Sequence, residues 1–386
     1  MSETAVLRSA RTDSEAVSSV SAFNVEFVRD WNLALSRWDS PGGGTCFQHW
    51  PWLEAWYGAF DAVSPLIAIV SDKATRRGVA LIPLICREHR GVRLAEFADL
   101  DVTDYNAPIL AADAPGDVEG MRAICRALVA ALRRLPDRPD LLRMQKMPAE
   151  IQGRPNPLVL RGRIGSSSLN GNMIEVGDDF EAYRASIKRK ELLRLWRVFG
   201  RLPGARFRLA ATVDEALLLL DTTDRQQRER MKELGLPFVL DDGCRGRFYR
   251  NLIDRGFGEG YVVASALMCD DGIVATAFGI RRGTSVTLLR TSFGGKRWSS
   301  CAPGLLVIER TMAALHEQGV RHFDLSVGNY DYKRRFGAVP LPLTDVSIAL
   351  SWRGVPYMLR DRLAQLLRRY PPLAAGVARV WGKRPR

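Results

Sequence analysis

The residues best equipped for chemistry lie between Lys296 and Gly337. In SSCAPGLLVIERTMAALHEQGVRHFDLSVGNYDYKRRFG, which begins at Ser299, a Pro-Gly turn opens an apolar-periodic segment. Gly319 stops it, and RHFDLSV runs into a Tyr/Lys/Arg cluster. A helix start presents unpaired backbone N–H groups and a partial positive charge, a combination that binds phosphate-like anions. At Ala302-Pro303-Gly304-Leu305, Pro303 suits the first helical turn, and Gly304 lets an anion approach the backbone. Lys296 and Arg297 just upstream offer charge-assisted contacts. Asp324, Tyr330, Tyr332 and Lys333 are groups that move protons, and Lys333 with Arg334 can also hold an acidic molecule. Each has a plainer role open to it. Pro-Gly pairs start packed helices, a strand aspartate can be a buried structural carboxylate, and KRRF can be a solvated turn.

The elements that must position these groups follow from pattern. YVVASALM, IVATAFGI and VTLLRTSF read as three strands joined by tight turns. A helix from about Ala302 to Gln318 carries Leu305, Ile308, Met312 and Leu315 at helical spacing. RHFDLSV and then DVSIALSW follow as strands. The first half repeats this order. PLIAIVSD, GVALIPLICRE and GVRLAEFADL read as strands, APGDVEGMRAICRALVAALRRL as a helix, and DLLRMQKM as a strand. Ala114-Pro115-Gly116 matches Ala302-Pro303-Gly304, and Asp140-Leu141 matches Asp324-Leu325, which points to an internal duplication. Pro115-Gly116 lacks adjacent basic residues and is flanked by Asp113 and Asp117, so the first half is expected to have lost anion binding. Between the halves, RGRIGSSSLNGN reads as a loop. FEAYRASIKRKELLRLWRVFGRL reads as a basic amphipathic helix, and DEALLLLDTTDRQQRERMKELG as a second helix.

Composition sets outer bounds. The 386 residues suffice for one to three domains with substantial cores. The net charge of +13 and pI near 9.8 favour anionic partners, or reflect a solvated Arg-rich face. MSETAVLRSARTDSEAV has no apolar core region of a signal peptide and reads as a disordered lead-in. No apolar run is long enough to span a membrane. Six scattered cysteines without CxxC spacing, with Cys86, Cys125 and Cys269 in apolar surroundings, suggest a reducing, cytoplasmic compartment. The four histidines are dispersed, which argues against zinc. GxGxxG, Walker A, GxSxG and HExxH motifs are absent.

Five stretches carry a family resemblance: FQHWPWLEAWYGAF, LIPL with its following arginine, FADLDVTDYNAPIL, KRKELLRLWRVFGRL, and APGLL with DLSVGNYDYKRRFG. Together they resemble the acyltransferase family of the GNAT superfamily associated with bacterial cellulose biosynthesis, which is related to the Fem-type aminoacyltransferases. Ala302 stands where that family usually has serine, and Asn329 where it often has an acidic residue. The resemblance implies an α/β fold of two tandem GNAT-like domains, each a mixed, mostly antiparallel sheet flanked by helices. The division would be a lead-in over 1–20, domains over 21–165 and 166–355, and a basic amphipathic tail over 356–386. It implies transfer of an acyl group, such as acetyl, from acyl-CoA to an amine or hydroxyl, with no metal. Acceptors would be polysaccharide-related or small molecules, as in cellulose or exopolysaccharide synthesis.

Such transfer needs a held pyrophosphate, a polarised thioester carbonyl and managed protons. Ala302 to Leu305 with Lys296 and Arg297 would serve the first. A backbone N–H near Arg290, Thr291 and Ser292, where a strand splays, would serve the second. For the third, Tyr330 or Tyr332 would protonate the leaving thiolate, with Asp324 or Lys333 as other proton carriers. Asp104-Tyr105 would line the acceptor side, or form a capping turn. Trp50, Trp52 and Trp56 read as an aromatic core stripe, with sugar stacking as the other reading. Fem-type relatives use aminoacyl-tRNA, which would make nucleic acid a partner, but the chain lacks the inserted coiled-coil arm that some of them carry. A third reading is a non-catalytic accessory of a membrane glycan synthase. Lys188–Arg201 and Tyr357–Arg386 would then bind anionic lipid at the inner membrane, or a protein partner, unless they are packed helices with a solvated basic face.

Overall fold

The computed structural model describes residues 21–160, 165–187 and 189–369. The lead-in expected over 1–20 and the part of the expected tail beyond Arg369 lie outside them. In chain order, β1 (Phe23–Val28) precedes α1 (Trp31–Arg37), which Asp30 caps by accepting from the Leu33 N–H. Then come β2 (Gly42–Gly43), α2 (Trp50–Ala59), β3 (Ser64–Pro65), β4 (Ile67–Asp72), β5 (Gly78–Ile82), β6 (Leu84–His89), β7 (Val92–Phe97) and β8 (Ile109–Ala111). The stretch GVALIPLICRE is two strands, not one. Pro83 has no N–H for a ladder, so β5 joins a five-stranded sheet and β6 an eleven-stranded one. Next are α3 (Val118–Arg134), β9 (Leu141–Pro148), β10 (Glu150–Ile151) and β11 (Arg154–Pro155).

The second half opens with β12 (Gly165–Glu175), where a loop was expected. Its Gly/Ser/Asn composition does not mark a turn. Asn172 pins a distant loop by donating to the carbonyls of Ser326 (2.7 Å) and Gly328 (3.0 Å). Gly171 is required because a Cβ there would lie 2.3 Å from the Tyr105 hydroxyl. The basic helix read from Phe180 is broken into α4 (Phe180–Ser186) and α5 (Arg189–Phe199), since Ile187 turns extended at the end of α4. β13 (Arg206–Leu209), α6 (Val213–Glu233), α7 (Gly243–Gly256), β14 (Val262–Cys269), β15 (Gly272–Arg282) and β16 (Ser285–Phe293) follow. The chain closes with α8 (Pro303–Glu317), β17 (His322–Asp324), α9 (Asp331–Arg335), β18 (Val339–Ala349) and α10 (Val355–Arg369).

Two units are visible in the large sheet. In the first, β7 and β9 are parallel and joined through α3. In the second, β16 and β17 are parallel and joined through α8. The order β6-β7-β9 thus repeats as β15-β16-β17, with antiparallel pairs otherwise. The units also exchange strands. β12, which follows β9, pairs with β17, and β18, which follows β17, pairs with β9. β12 and β18 pair antiparallel where the units meet.

One core cluster joins α2 and α7 across the units, through Trp52, Trp56, Phe248 and Leu252, all fully buried. The tryptophan stripe is therefore core at Trp52 and Trp56. Truncating either to Ala costs about 3–5 kcal/mol. α5 buries Leu195 and Phe199 against Trp298 and Leu306, so the first basic segment is a packed helix. Cys86, Cys125 and Cys269 are buried.

Candidate active site

The site is built by two parallel strands that part. β16 pairs with β17 only over Ser285–Thr287 but continues along β15 to Phe293. Gly279 pairs with Leu288 and Phe278 with Arg290, leaving Leu289 as an extra, bulged residue that turns the strand away. The gap opens on a cleft of about 770 Å³. Its walls are β16 from Leu289 to Phe293, α6 through Gln226, Gln227, Arg230 and Met231, the segment 237–240, Ser299, the start of α8, Ile308, Tyr330 and Tyr332.

Ala302, Pro303, Gly304 and Leu305 all line this cleft. Ala302 is left-handed (φ 42°, ψ 60°) and provides no side-chain cap for α8. The Leu305 and Leu306 N–H groups donate to the Ala302 carbonyl (3.0 and 3.2 Å), and proline has no N–H. That leaves the Gly304 N–H without a backbone partner among the described residues. Glycine here also has a packing reason, because a Cβ would lie 3.3 Å from the Phe293 ring.

Thr291 and Ser292 line the cleft in different ways. Gln227 donates to the Thr291 carbonyl (3.0 Å). In a strand, one residue's N–H and C=O point to the same side, so the Thr291 N–H also faces away from β15, toward the gap. Ser292 is buried and donates through its hydroxyl to Gln226 (2.7 Å), which in turn donates to the Ile273 carbonyl (3.0 Å). Arg290 is neutralised by Asp224 (2.6 Å) and stacks on Tyr249, so it is not free for a ligand.

Lys296 and Arg297 are not on the cleft wall. Both are exposed on a short turn, and Arg297 lies over the Trp298 ring (4.3 Å). The cation at the cleft is instead Arg230, exposed on α6 and 5.0 Å from the Phe293 ring, with no carboxylate partner among the described residues. It lies more than sixty residues upstream, and only the fold brings it near. The paired glutamines in DRQQRERM were the one available signal, as uncharged polar residues in a charged helix.

The proton-moving groups fall into two layers. Tyr330 and Tyr332 stack on one another and border the cleft. Burial pushes Tyr332 up to about 12, so it keeps its proton at neutral pH. Lys333 borders a small adjoining hollow with Ser326 and Val327. It is 2% exposed and donates to the carbonyls of Ser326 (3.1 Å) and Val327 (2.7 Å). Burial pulls it down to about 8, against the opposing pull of Asp324 and Asp104.

Asp324 and Asp104 form the deeper layer and line neither space. Asp324 accepts from the Ser326 N–H (2.8 Å), and burial raises it to about 6. Asp104, from the first unit, accepts from the Ser326 hydroxyl, and burial raises it too. Between them they hold Ser326 in a left-handed conformation (φ 66°). The Tyr105 hydroxyl is buried near Asp324 and lowers its proton affinity, yet stays outside hydrogen-bonding geometry. Asp104 and Tyr105 thus lie behind Ser326 and line neither the cleft nor the adjoining hollow.

Residues 186–334 match the family model described as acetyltransferase (GNAT) domain. No curated protein matches the chain. FemX resembles the fold with a TM-score of 0.56 at 10% identity, over 89% of this chain and 99% of that one. A conserved protein of unknown function from Bacteroides thetaiotaomicron VPI-5482 gives 0.50 at 13% identity, over 85% and 100%. At such identities the likeness is one of fold, and neither bears on cellulose. Residues 186–334 therefore resemble a GNAT-type acetyltransferase domain, and they lie within a two-unit α/β fold like that of FemX.

Proposed function

We propose that the protein transfers an acyl group from an acyl-CoA thioester to an amine or hydroxyl. The observation that carries this reading is the gap between β16 and β17, which opens on a cleft bounded by the uncapped start of α8. In this reading the diphosphate sits at the Gly304 N–H with Arg230 beside it. The unpaired edge of β16, Thr291 first, offers N–H donors to the pantetheine amides and the thioester carbonyl. The acceptor nitrogen or oxygen attacks the carbonyl carbon, a C–N or C–O bond forms, and the C–S bond breaks. Lys333, near 8, takes the acceptor's proton, and Tyr332, still protonated, gives one to the thiolate. The acidic pair Asp104 and Asp324 positions Ser326 and, through its carbonyl, Lys333. The first unit serves as a structural partner without donor binding. A polysaccharide-related acceptor rests on the family resemblance alone.

A second reading keeps the site and changes the donor to aminoacyl-tRNA. The fold likeness to FemX and the net charge of +13 favour it. Calorimetry with acetyl-CoA and with aminoacyl-tRNA, each at low and high salt, separates the two. The first reading expects acetyl-CoA to bind within about 1 μM–1 mM, the usual substrate range. Absent CoA binding together with RNA affinity that falls steeply with salt supports the second. Binding of neither removes both.

A further inference from the structure

We propose that α10 is a membrane-contact helix that lays the protein on an anionic lipid surface. A surface helix ordinarily turns its leucines inward and its polar groups outward. α10 does the reverse. Its inner face is polar: Asp361 accepts from Arg143 (2.8 Å) and Ser347 (2.7 Å), Gln365 donates to the Asp345 carbonyl (3.2 Å), and Tyr357 donates to the Arg90 carbonyl (2.8 Å). Its outer face carries Val355, Leu359, Leu363 and Leu366, spaced four, four and three apart, and the three leucines are 53–56% exposed. Trp352, 80% exposed, stands just before the helix. At about 100° per residue, Arg362 falls on one edge of this stripe and Arg360 on the other.

Charge decides the occupant. From Val346 to the C-terminus, Asp361 is the one acidic residue, against nine basic ones. Asp361 is already bound to Arg143. Residues 370–386 contain Arg379, Lys383, Arg384 and Arg386 and no acid, so folding them over the stripe would press like charges together. A second copy docked face to face would do the same. An anionic bilayer satisfies both features, with leucines and Trp352 in the acyl boundary and arginine stems reaching back to the headgroups. Among the described residues no helix is long and apolar enough to cross a membrane, so α10 lies on the surface. The contact is independent of which donor the active site uses.

Co-sedimentation of the full chain with phosphatidylglycerol/phosphatidylcholine vesicles, against pure phosphatidylcholine, tests this. The wild type is expected to pellet with the anionic vesicles, less so at high salt. Leu359→Ser/Leu363→Ser/Leu366→Ser should keep its unfolding temperature, because these side chains are exposed, and lose vesicle affinity by about tenfold or more. Arg360→Gln/Arg362→Gln should weaken binding and flatten its salt dependence. The proposal is overturned if the wild type stays in the supernatant, or if the serine variant binds like wild type. It is also overturned if light scattering finds a dimer that the serine variant dissolves while neither protein binds vesicles. A chain ending at Arg369 that binds when the full chain does not would assign the stripe to the tail and overturn it as well.

Discussion

The two units set the same problem and close it differently. Each has parallel strands joined by a helix that begins after an Ala-Pro-Gly turn. In the first, β7 and β9 pair over Leu94–Glu96, and then the 99–106 loop narrows the opening to a hollow of about 90 Å³. Asn106 bonds the Lys146 carbonyl through its N–H (3.0 Å), and its side-chain amide donates to Gln145 (3.0 Å) and Asp99 (2.7 Å). Lys146 donates to Asp99 (2.9 Å) and locks the loop from the other side. The start of α3 is taken by its own Asp117, which accepts from the Gly120 N–H (2.8 Å). The second unit lacks both devices. The gap stays open, and the start of α8 has no side-chain cap. One loop and one carboxylate separate a closed strand pair from an open one.

That contrast can be broken by mutation. The largest effect is expected for Leu305→Glu. Position three of a helix favours an acidic residue, which offsets part of the packing lost with half-buried Leu305, and thermal unfolding would report the balance. The same charge should repel a diphosphate and weaken CoA binding on the order of 100-fold, about 2.7 kcal/mol. Next is Lys333→Met, which should lower kcat on the order of 100-fold and leave the KM for acyl-CoA near wild type. The rise of rate through pH 8 should disappear with it. Linkage supplies a second readout. Lys333 titrates near 8 in the fold and near its ordinary value of 10.5 when unfolded, so the unfolded chain holds more protons between these values. Wild type should therefore gain stability relative to Lys333→Met as pH rises from 8 to 10.5, as denaturant unfolding across that window would show.

Smaller effects belong to the closed unit. Asn106→Ala removes bonds from a buried residue and should cost about 1–3 kcal/mol in denaturant unfolding. CoA affinity should stay within about twofold, since Asn106 bonds Asp99, Gln145 and Lys146 and does not line the open cleft. Asp117→Ala should cost about 1 kcal/mol, the usual worth of an N-cap, and should not create a second donor site while Asn106 still narrows the strand gap.

Legibility in the sequence followed the range of the interactions. The paired Ala-Pro-Gly turns, the α8 periodicity and the acids flanking Pro115-Gly116 are local, and they located the helix starts and the self-capping Asp117. The Asn106 plug was hidden because two of its partners, Gln145 and Lys146, lie about forty residues away on β9. Arg230 reaches the cleft only through α6 packing, whereas Lys296 and Arg297, adjacent in sequence, point elsewhere. β12 read as a loop because its asparagine and glycine serve tertiary contacts with Ser326 and Tyr105. Pro83 was a local signal that the apolar run around it obscured. Asp104 and Asp324 stood out as separate candidates. Their shared hold on Ser326 appears only when the units come together.

The most direct measurement is the stoichiometry of CoA binding by calorimetry on the full chain, with Leu305→Glu alongside. One molecule per wild-type chain, and none for the variant at the same concentrations, is the result expected of one open and one closed unit. Two molecules per chain, or undiminished binding by Leu305→Glu, would contradict it.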